Sequence, residues 1–537
     1  MSKYVITYDI GTTGIKTCLI EIDEKMTILA SSTAGYNLYV DEETGVKGGA
    51  EQDADEWWEA MCTTTKTVFE KMPSVSREQV EGISFCSAMQ GLVLVDRDGN
   101  CIRRPMTYMD QRAREELKKG IAYGVQIAGA EVTKLLKYLR YTGAVSSSVK
   151  DPIWKYKWVE AHEPENYKKI YKWLDIKEYL ICRASGEFVM TQDSAFATLL
   201  YDTRKGHEGW CKPICDMVGV NINHLPPIKK CTDKVGEVTE KAAEELGLAP
   251  GTAVYGGGGD ASLIGVGAGA VEIGDTHIYS GTSGWVGTVC EKQTVDAGAM
   301  MAAIVGANPE SYNYFGELET SNKCVSWVKD HLALDEIGVF LKQYGDASDS
   351  LEQVEINLYD YLEEVIDSIP AGSNGVIFTP WLHGNRCPFE DPNAAGMFFN
   401  IRLDTGKTEL IRSVVEGIGF HMRWMLERQE NKVKTSSSIR FCGGGALGET
   451  TCQTLADILQ RDIVVVESPQ NIGAVGAAAC IAVGMGIIPK MTDVKKLIPI
   501  KTTYHPNKAN KAVYDKNFKV FQNLYKCNKE NFAILNG

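Results

Sequence analysis

The chain lacks much of what several protein classes need. Its 537 residues hold 15 cysteines but no C-x-x-C pair, and the 8 histidines give no pair at helical spacing to accompany them. Cys211 and Cys215 come nearest to a ligand pair, so a metal finger is not expected. Scattered, mostly buried thiols in a reducing cytoplasm are expected instead. No apolar run approaches the roughly 18 residues of a membrane span. The N-terminus runs straight into a strand-like segment, without the charged leader, apolar core and cleavage site of a secreted precursor. Net charge is -14 with no basic block, which argues against non-specific nucleic-acid binding and against an anionic membrane surface. A nucleotide stays open, because a few backbone amides can hold its phosphates locally. There is no P-loop: the one Gly-Lys-Thr, Gly406-Lys407-Thr408, has Ile401 where that motif requires glycine.

What is present is the composition of a large globular enzyme, 44% hydrophobic and 23% charged. The length exceeds the roughly 150 residues of one domain several times, so two or more domains are expected. The β-branched and aromatic run Tyr4–Tyr8 ends in Asp9-Ile10-Gly11-Thr12-Thr13-Gly14, and Ile15–Ile22 resumes as a strand with Lys16 at its start. This is a hairpin with a glycine-threonine tip. The plan recurs at 276–290, where Thr276–Ser280 turns at Gly281-Thr282-Ser283-Gly284. The repetition suggests a duplicated domain, each half opening on a similar hairpin. Between the hairpins the pattern predicts a helix over Ala54–Lys71 and strands over Gly82–Ser87 and Leu92–Asp96. Residues 113–250 read as mainly helical. In the second half, helices are expected near Lys323–Tyr344, Leu351–Ile369 and Asp404–Glu430. A strand over Ser438–Cys442, a glycine turn with a helix to Leu459, a strand over Ile463–Glu467 and a helix over Ala474–Gly484 follow. The mixture is α/β.

Glycine-rich tips can aim several amides at one phosphate, and threonine hydroxyls add donors. The first tip offers Gly11, Thr12 and Thr13, with Lys16 as a positive charge and Asp9 at the strand end to hold Mg²⁺ directly or through water. A plain β-turn is the competing reading. The second tip, Gly281, Thr282 and Ser283, favours the functional one, because two phosphate clamps facing each other make a nucleotide cleft. Asp260 follows four glycines, Gly256–Gly259, and precedes a small-residue helix. Helix capping is the simple role for an aspartate there. A carboxylate that takes the acceptor hydroxyl's proton is the alternative, since phosphoryl transfer needs little beyond positioning and charge stabilisation.

The turn Gly443–Gly448 fits G-x-G-x-x-G between a strand and a helix, with Glu467 about 20 residues on, as in a dinucleotide fold. Only about 70 residues remain after Glu467, too few for the rest of a six-stranded doubly wound sheet. The same turn, with Gly444 and Gly445 bare, can instead lie flat against adenosine. Gly265, Gly267 and Gly269 match that motif less well and read as close helix packing. Met89 and Gln90 at a strand mouth, and Asp110 and Arg112 in a loop with Tyr108, mix polar and apolar groups as a sugar site does; each taken singly reads as a surface loop. Trp57 and Trp58 read as one buried and one half-buried aromatic on a helix.

Together these residues resemble the FGGY family of carbohydrate kinases, over nearly the whole chain and in the family's order. Asp9-x-Gly11-Thr12-Thr13…Lys16 is similar to its first phosphate motif, and Glu51-Gln52-Asp53…Trp57-Trp58 to its Glu-Gln-Asp-Pro…Trp-Trp segment, with Ala54 in place of proline. Gly256–Asp260 resembles its catalytic-aspartate motif, Gly281–Gly284 its second phosphate motif and Gly443–Gly448 its adenosine motif. The resemblance implies two actin-like (ribonuclease H-like) domains, here 1–262 and 263–537, with ATP and Mg²⁺ in the cleft between them. It implies Asp260 as base and sugar contacts mainly from the first domain. The subgroup it resembles is the xylulokinases, whose first sugar loop usually reads Met-His-Gly and second Trp-Asn-Asp-x-Arg. Here they read Met89-Gln90-Gly91 and Tyr108-Met109-Asp110-Gln111-Arg112. The missing histidine leaves the acceptor open. The expectation is an ATP-dependent cytoplasmic kinase acting on a ketopentose such as xylulose or a related ketose. Polyol or gluconate kinases of the same family are the alternatives, and a non-catalytic nucleotide-binding regulator is the alternative of another class. The expected partner is a small sugar or polyol, with neither nucleic acid nor membrane, and a homodimer is compatible with the reading.

Overall fold

The computed structural model describes residues 2–127, 130–332 and 351–537, with the backbone alone over 351–359. Two sheets organise it. The first runs, edge to edge, Lys234–Glu237, Ala253–Tyr255, Val80–Ser87, Lys3–Ile10, Gly14–Ile22 and Met26–Gly35, with Gly258–Gly259 also paired to Val80–Ser87. The second runs Val295–Asp296, Met301–Val305, Tyr312–Leu318, Gly284–Cys290, Thr276–Ser280, Ser438–Cys442, Asp462–Val466 and Ile500–Tyr504.

The duplication expected from the hairpins is a duplication of topology. In each sheet an antiparallel three-strand meander starts at the centre, and two strands then add parallel to its first strand. An antiparallel strand closes each far edge, Lys234–Glu237 in one and Ile500–Tyr504 in the other. Parallel neighbours need long crossovers, and helices supply them. Ala54–Lys71 lies between the meander and Val80–Ser87, with Asp53 accepting from the Asp55 amide as its N-cap. Lys407–Glu430 is the corresponding helix of the second lobe, and Gly406 is its N-cap residue. The Gly-Lys-Thr that mimics a P-loop is thus a helix start. The reading near Lys323–Tyr344 meets the helix Asn322–His331, and its part over 333–344 lies outside the described residues.

Two differences from expectation have local causes. Residues 113–250 are less helical than their composition implies. Ile176–Ser185, Lys212–Val218 and Glu240–Leu246 each stop within 7 to 10 residues at a left-handed glycine, Gly186, Gly219 and Gly247. Trp57 and Trp58 are both buried, not one of them, because Trp58 Nε1 donates to Glu245 of the helix Glu240–Leu246 at 2.6 Å and Arg183 covers its ring.

The lobes are joined by two crossing helices, Asp260–Gly267 and Ile472–Gly484. Gly267 approaches the Ile472 and Gly476 backbone, and Gly476 the Leu263 carbonyl, so closely that a Cβ on either would collide. This is the close packing expected of the small-residue run. Ile472–Gly484 is almost entirely buried and packs beneath the first sheet: Gly473 lies against Asp9 and Gly484 against Tyr255. Among the described residues, no helix is long and apolar enough to cross a membrane.

Candidate active site

The first hairpin fixes its charges by register. Asp9 pairs across with Lys16 on one side and Cys86 on the other, and directly opposed residues share a face of the sheet. Burial pushes the Asp9 carboxyl up, while Lys16 and the Cys86 thiol that donates to it pull the other way. Lys16 Nζ reaches the Gln470 carbonyl at 2.9 Å, just ahead of the Ile472–Gly484 helix. The tip is braced from three directions. Tyr36 donates to the Gly14 and Gly11 carbonyls, Gln52 Nε2 donates to the Thr12 carbonyl at 2.6 Å, and the Tyr108 hydroxyl lies 3.0 Å from Thr12 Oγ1. Thr13 and Gly11 remain exposed.

The second tip is held by short polar side chains. Asn322 N and Ser321 N donate to the Gly281 and Thr282 carbonyls at 2.8 and 3.0 Å. Ser280 Oγ meets Ser321 Oγ at 2.7 Å and Asn322 Oδ1 at 2.9 Å. The Gly443–Gly445 turn closes on the same group. Gly443 has φ 90°, and a Cβ there would stand 2.5 Å from the Ser280 carbonyl oxygen; one on Gly445 would stand 2.8 Å from Ser280 Oγ. The structure therefore brings Gly281, Thr282, Ser283, Gly444 and Gly445 together.

Asp260 stands between the tips. It is the first residue of the helix Asp260–Gly267; Gly259 takes the cap position, and Asp260 Oδ1 accepts only its neighbour's amide, Ala261 N, at 2.7 Å. The four glycines before it answer four close approaches. A Cβ on Gly256 would stand 2.9 Å from the Lys230 carbonyl oxygen. Gly257, at φ 62°, would collide with Phe85. Gly258 would stand 2.9 Å from Asp193 Oδ2, and Gly259 would collide with Met89. Asp193 also accepts the Gly259 amide at 2.7 Å and the Thr191 hydroxyl at 2.5 Å. Burial pushes Asp193 up, but Lys177, Thr191 and the Gly259 amide outweigh it and hold it below the ordinary carboxylate value.

Burial raises the Asp260 carboxyl to about 7, against the Ala261 amide, and the charges of Asp9, Glu317 and Asp175 add to the rise. Tyr279, at the root of the second tip and filling the space beside Gly281, is raised by burial and then by Asp9 and Asp260. Asp260 thus lies within electrostatic reach of Asp9, beside the first tip, and of Tyr279, at the root of the second.

The four residues expected to face a sugar divide into two pairs. Met89 and Gln90 are half-buried, Met89 against Gly259 just before Asp260. Asp110 and Arg112 are fully buried, with side chains 0% and 1% exposed. Arg112 Nη2 binds Asp110 at 2.9 Å and Glu51 at 2.7 Å, its guanidinium covers Trp158, and Asp110 accepts the Ala50 amide at 2.8 Å. Their charges satisfy each other and hold the loop. Residues missed from the sequence are Asp175, Asp193, Lys155, Asn322 and Glu317. Glu317 pairs with Arg386 at 2.8 Å. The partners lie far apart in the chain, so no local pattern marks them.

Two lobes of repeated topology, opposed glycine tips and a carboxylate near neutrality between them are the architecture of the actin-like kinases. Models of the N- and C-terminal domains of the FGGY family of carbohydrate kinases match residues 4–267 and 277–485; the chain belongs to this family. It is 27% identical to a xylulose kinase of Bacillus subtilis over 532 residues, 98% of each chain. It is 26% identical to a gluconokinase of the same organism over 528 residues, 98% of this chain and 96% of the other. Its fold superposes with a TM-score of 0.82 on a ligand-bound xylulose kinase from Lactobacillus acidophilus, at 23% identity and 99% coverage of both.

Proposed function

We propose that the chain transfers the γ-phosphoryl group of ATP to a hydroxyl of an uncharged ketose, a ketopentose such as xylulose or a close relative, with Asp260 as general base. The observation that carries this reading is a carboxylate directly after the glycine run, raised by burial to about 7 and within electrostatic reach of Asp9 beside the first tip and Tyr279 beside the second; a base works best with a pKa near the operating pH. Lys16, Gly11, Thr12 and Thr13 on one lobe and Gly281, Thr282 and Ser283 on the other would hold phosphates. Gly444 and Gly445 would back the adenosine. The lobes are taken as 1–262 and 263–537, with Ile472–Gly484 crossing back beneath the first.

The site suits Mg²⁺ in a particular way. Among the described residues no group of three or more His, Cys, Asp or Glu is gathered to hold a metal. Asp9 offers a lone half-buried carboxylate, and Mg²⁺ is commonly held by one or two carboxylates together with substrate phosphates and water. It would supply charge neutralisation at the phosphates.

A neutral acceptor is favoured over a sugar acid by where the cations go. Arg112 is consumed by Asp110 and Glu51, Arg386 is paired with Glu317, and Lys155 is spent on backbone carbonyls. The charges that act most on Asp260, those of Asp9, Glu317 and Asp175, are negative. A carboxylate placed there would meet repulsion without a charge-assisted partner. A non-catalytic role leaves Asp260 without a reason for its position. The test is ADP release across neutral ketoses, pentitols and tetritols, and aldonates. Turnover confined to aldonates would overturn the acceptor class, and no turnover with any would overturn the kinase reading.

A further inference from the structure

The loop Met89–Gly91 carries a conformation that its own residues do not favour. Gln90 has φ 65°, a left-handed backbone that costs a non-glycine residue free energy and persists only where surroundings over-determine it. Three bonds do so. Asp175, directly before the helix Ile176–Ser185, accepts the Gln90 amide on Oδ2 at 2.9 Å and the Gly91 amide on Oδ1 at 2.8 Å. Lys155, fully buried on the helix Pro152–His162, donates to the Gln90 carbonyl at 2.7 Å. The same Nζ donates to the Thr107 carbonyl at 2.8 Å. Thr107 precedes Tyr108, whose hydroxyl meets Thr12 at the first tip. Gly91 is itself required: a Cβ there would stand 2.6 Å from Asp175 Oδ1.

We propose that Lys155 and Asp175 are positioning residues that clamp the Met89–Gly91 loop in its left-handed turn and tie it, through Thr107 and Tyr108, to the phosphate-holding hairpin. This rests on reading Met89–Gly91 as an acceptor loop. The clamp holds the Gln90 amide and carbonyl, one on each side of its Cα. Gln90 Nε2 leans weakly on the Ala197 carbonyl at 3.4 Å, so the backbone, not the side chain, sets where the amide head points. A buried ammonium and a buried carboxylate are costly to desolvate. Here both are spent on backbone groups: Lys155 on the carbonyls of Gln90 and Thr107, and Asp175 on the amides of Gln90, Gly91 and Ile176.

The test uses the full-length protein with two near-isosteric changes, Asp175→Asn and Lys155→Met. Asparagine keeps one acceptor oxygen and turns an NH₂ toward an amide that needs an acceptor. Hydrogen exchange over residues 88–92 should quicken in both variants while exchange in the second lobe stays unchanged. The KM for the best neutral acceptor should rise about ten- to a hundredfold, the cost of a misplaced contact, with the KM for ATP nearly unchanged. Discrimination among acceptors should flatten. Unchanged exchange over 88–92 in both variants would overturn the clamp. Quickened exchange with unchanged acceptor KM would overturn the loop's place at the acceptor. Equal losses for acceptor and ATP, in step with a lowered melting temperature, would overturn the positioning role in favour of a general structural one. If one variant fails to fold, the other carries the same comparison.

Discussion

The two hairpin tips are spelled almost alike, GTTG and GTSG, and are built differently. In the first, Ile10 pairs with Ile15 and Gly11 N donates to the Gly14 carbonyl; in the second, Ser280 pairs with Gly284 and Gly281 N donates to the Ser283 carbonyl. One loop is a residue longer than the other. The flanks differ more. Asp9 and Lys16 stand opposite each other beside the first tip, whereas Tyr279 and Trp285 stack beside the second with centroids 4.1 Å apart. The first lobe surrounds its half of the cleft with buried charge, Asp175, Lys177, Glu178, Asp193 and Lys155. The second braces its half with Ser280, Ser321 and Asn322. Duplicated scaffold with divergent support means that one lobe braces its tip with buried charge and the other with neutral hydroxyls and amides, which suits the proposed division between acceptor and nucleotide.

That contrast can be broken in graded steps. Asp260→Asn should cost the most, about 10²–10⁴-fold in kcat, the usual worth of a general base, while calorimetry still detects ATP; unchanged turnover rejects the assignment. Arg112→Met should act on stability, since it leaves the buried Asp110 carboxylate without its ion pair, while Glu51 keeps Arg103 at 2.5 Å; breaking such a buried pair costs about 3–5 kcal/mol. A chemical-denaturation midpoint reads this. A variant of normal stability with a raised acceptor KM would instead return Arg112 to the substrate.

Gly443→Ala tests the second lobe. Its φ of 90° and its proximity to the Ser280 carbonyl make any side chain strained, at about 1–3 kcal/mol. The KM for ATP should rise and that for the acceptor stay put, the mirror of the clamp variants. The smallest effect is on pH. A base must be ionised, and the Asp260 carboxyl is raised to about 7, so kcat should fall as pH drops through 7, with about a tenth of the sites ionised at pH 6. Glu317→Gln removes one negative charge that raises Asp260, so the acid limb should move to lower pH; a shift upward would contradict the placement of Glu317 beside it.

Some of this was legible from one dimension and some was not. The hairpins, the glycines before Asp260 and the turn at Gly443 are short, and each signals a local backbone demand: a tip, a close approach, a positive φ. They therefore survive as sequence patterns. The pairing of Asp110 and Arg112 was not legible, because a polar loop reads the same whether its charges face water or each other; only Glu51 and Ala50, some 60 residues away, reveal which. Asp175 sits 85 residues from the amides it holds, and Asp193 lies 66 from Gly259. The strands Met26–Gly35, Met301–Val305 and Tyr312–Leu318 also escaped, their stabilisation coming from sheet neighbours more than from intrinsic pattern.

Taken alone, the order of residues determined that this chain folds as two repeated α/β lobes, each opening on a glycine-tipped hairpin, with an aspartate released from a glycine run between them. Those are features of neighbouring residues, and covalent geometry makes them readable. Tertiary structure decided which charges are spent on one another, as Arg112 is on Asp110 and Glu51. It also decided how far Asp260 is raised, and that Gln90 is held left-handed by groups from two distant helices. Those are sums over partners that meet only on folding, where burial turns a modest bond or charge into a large one.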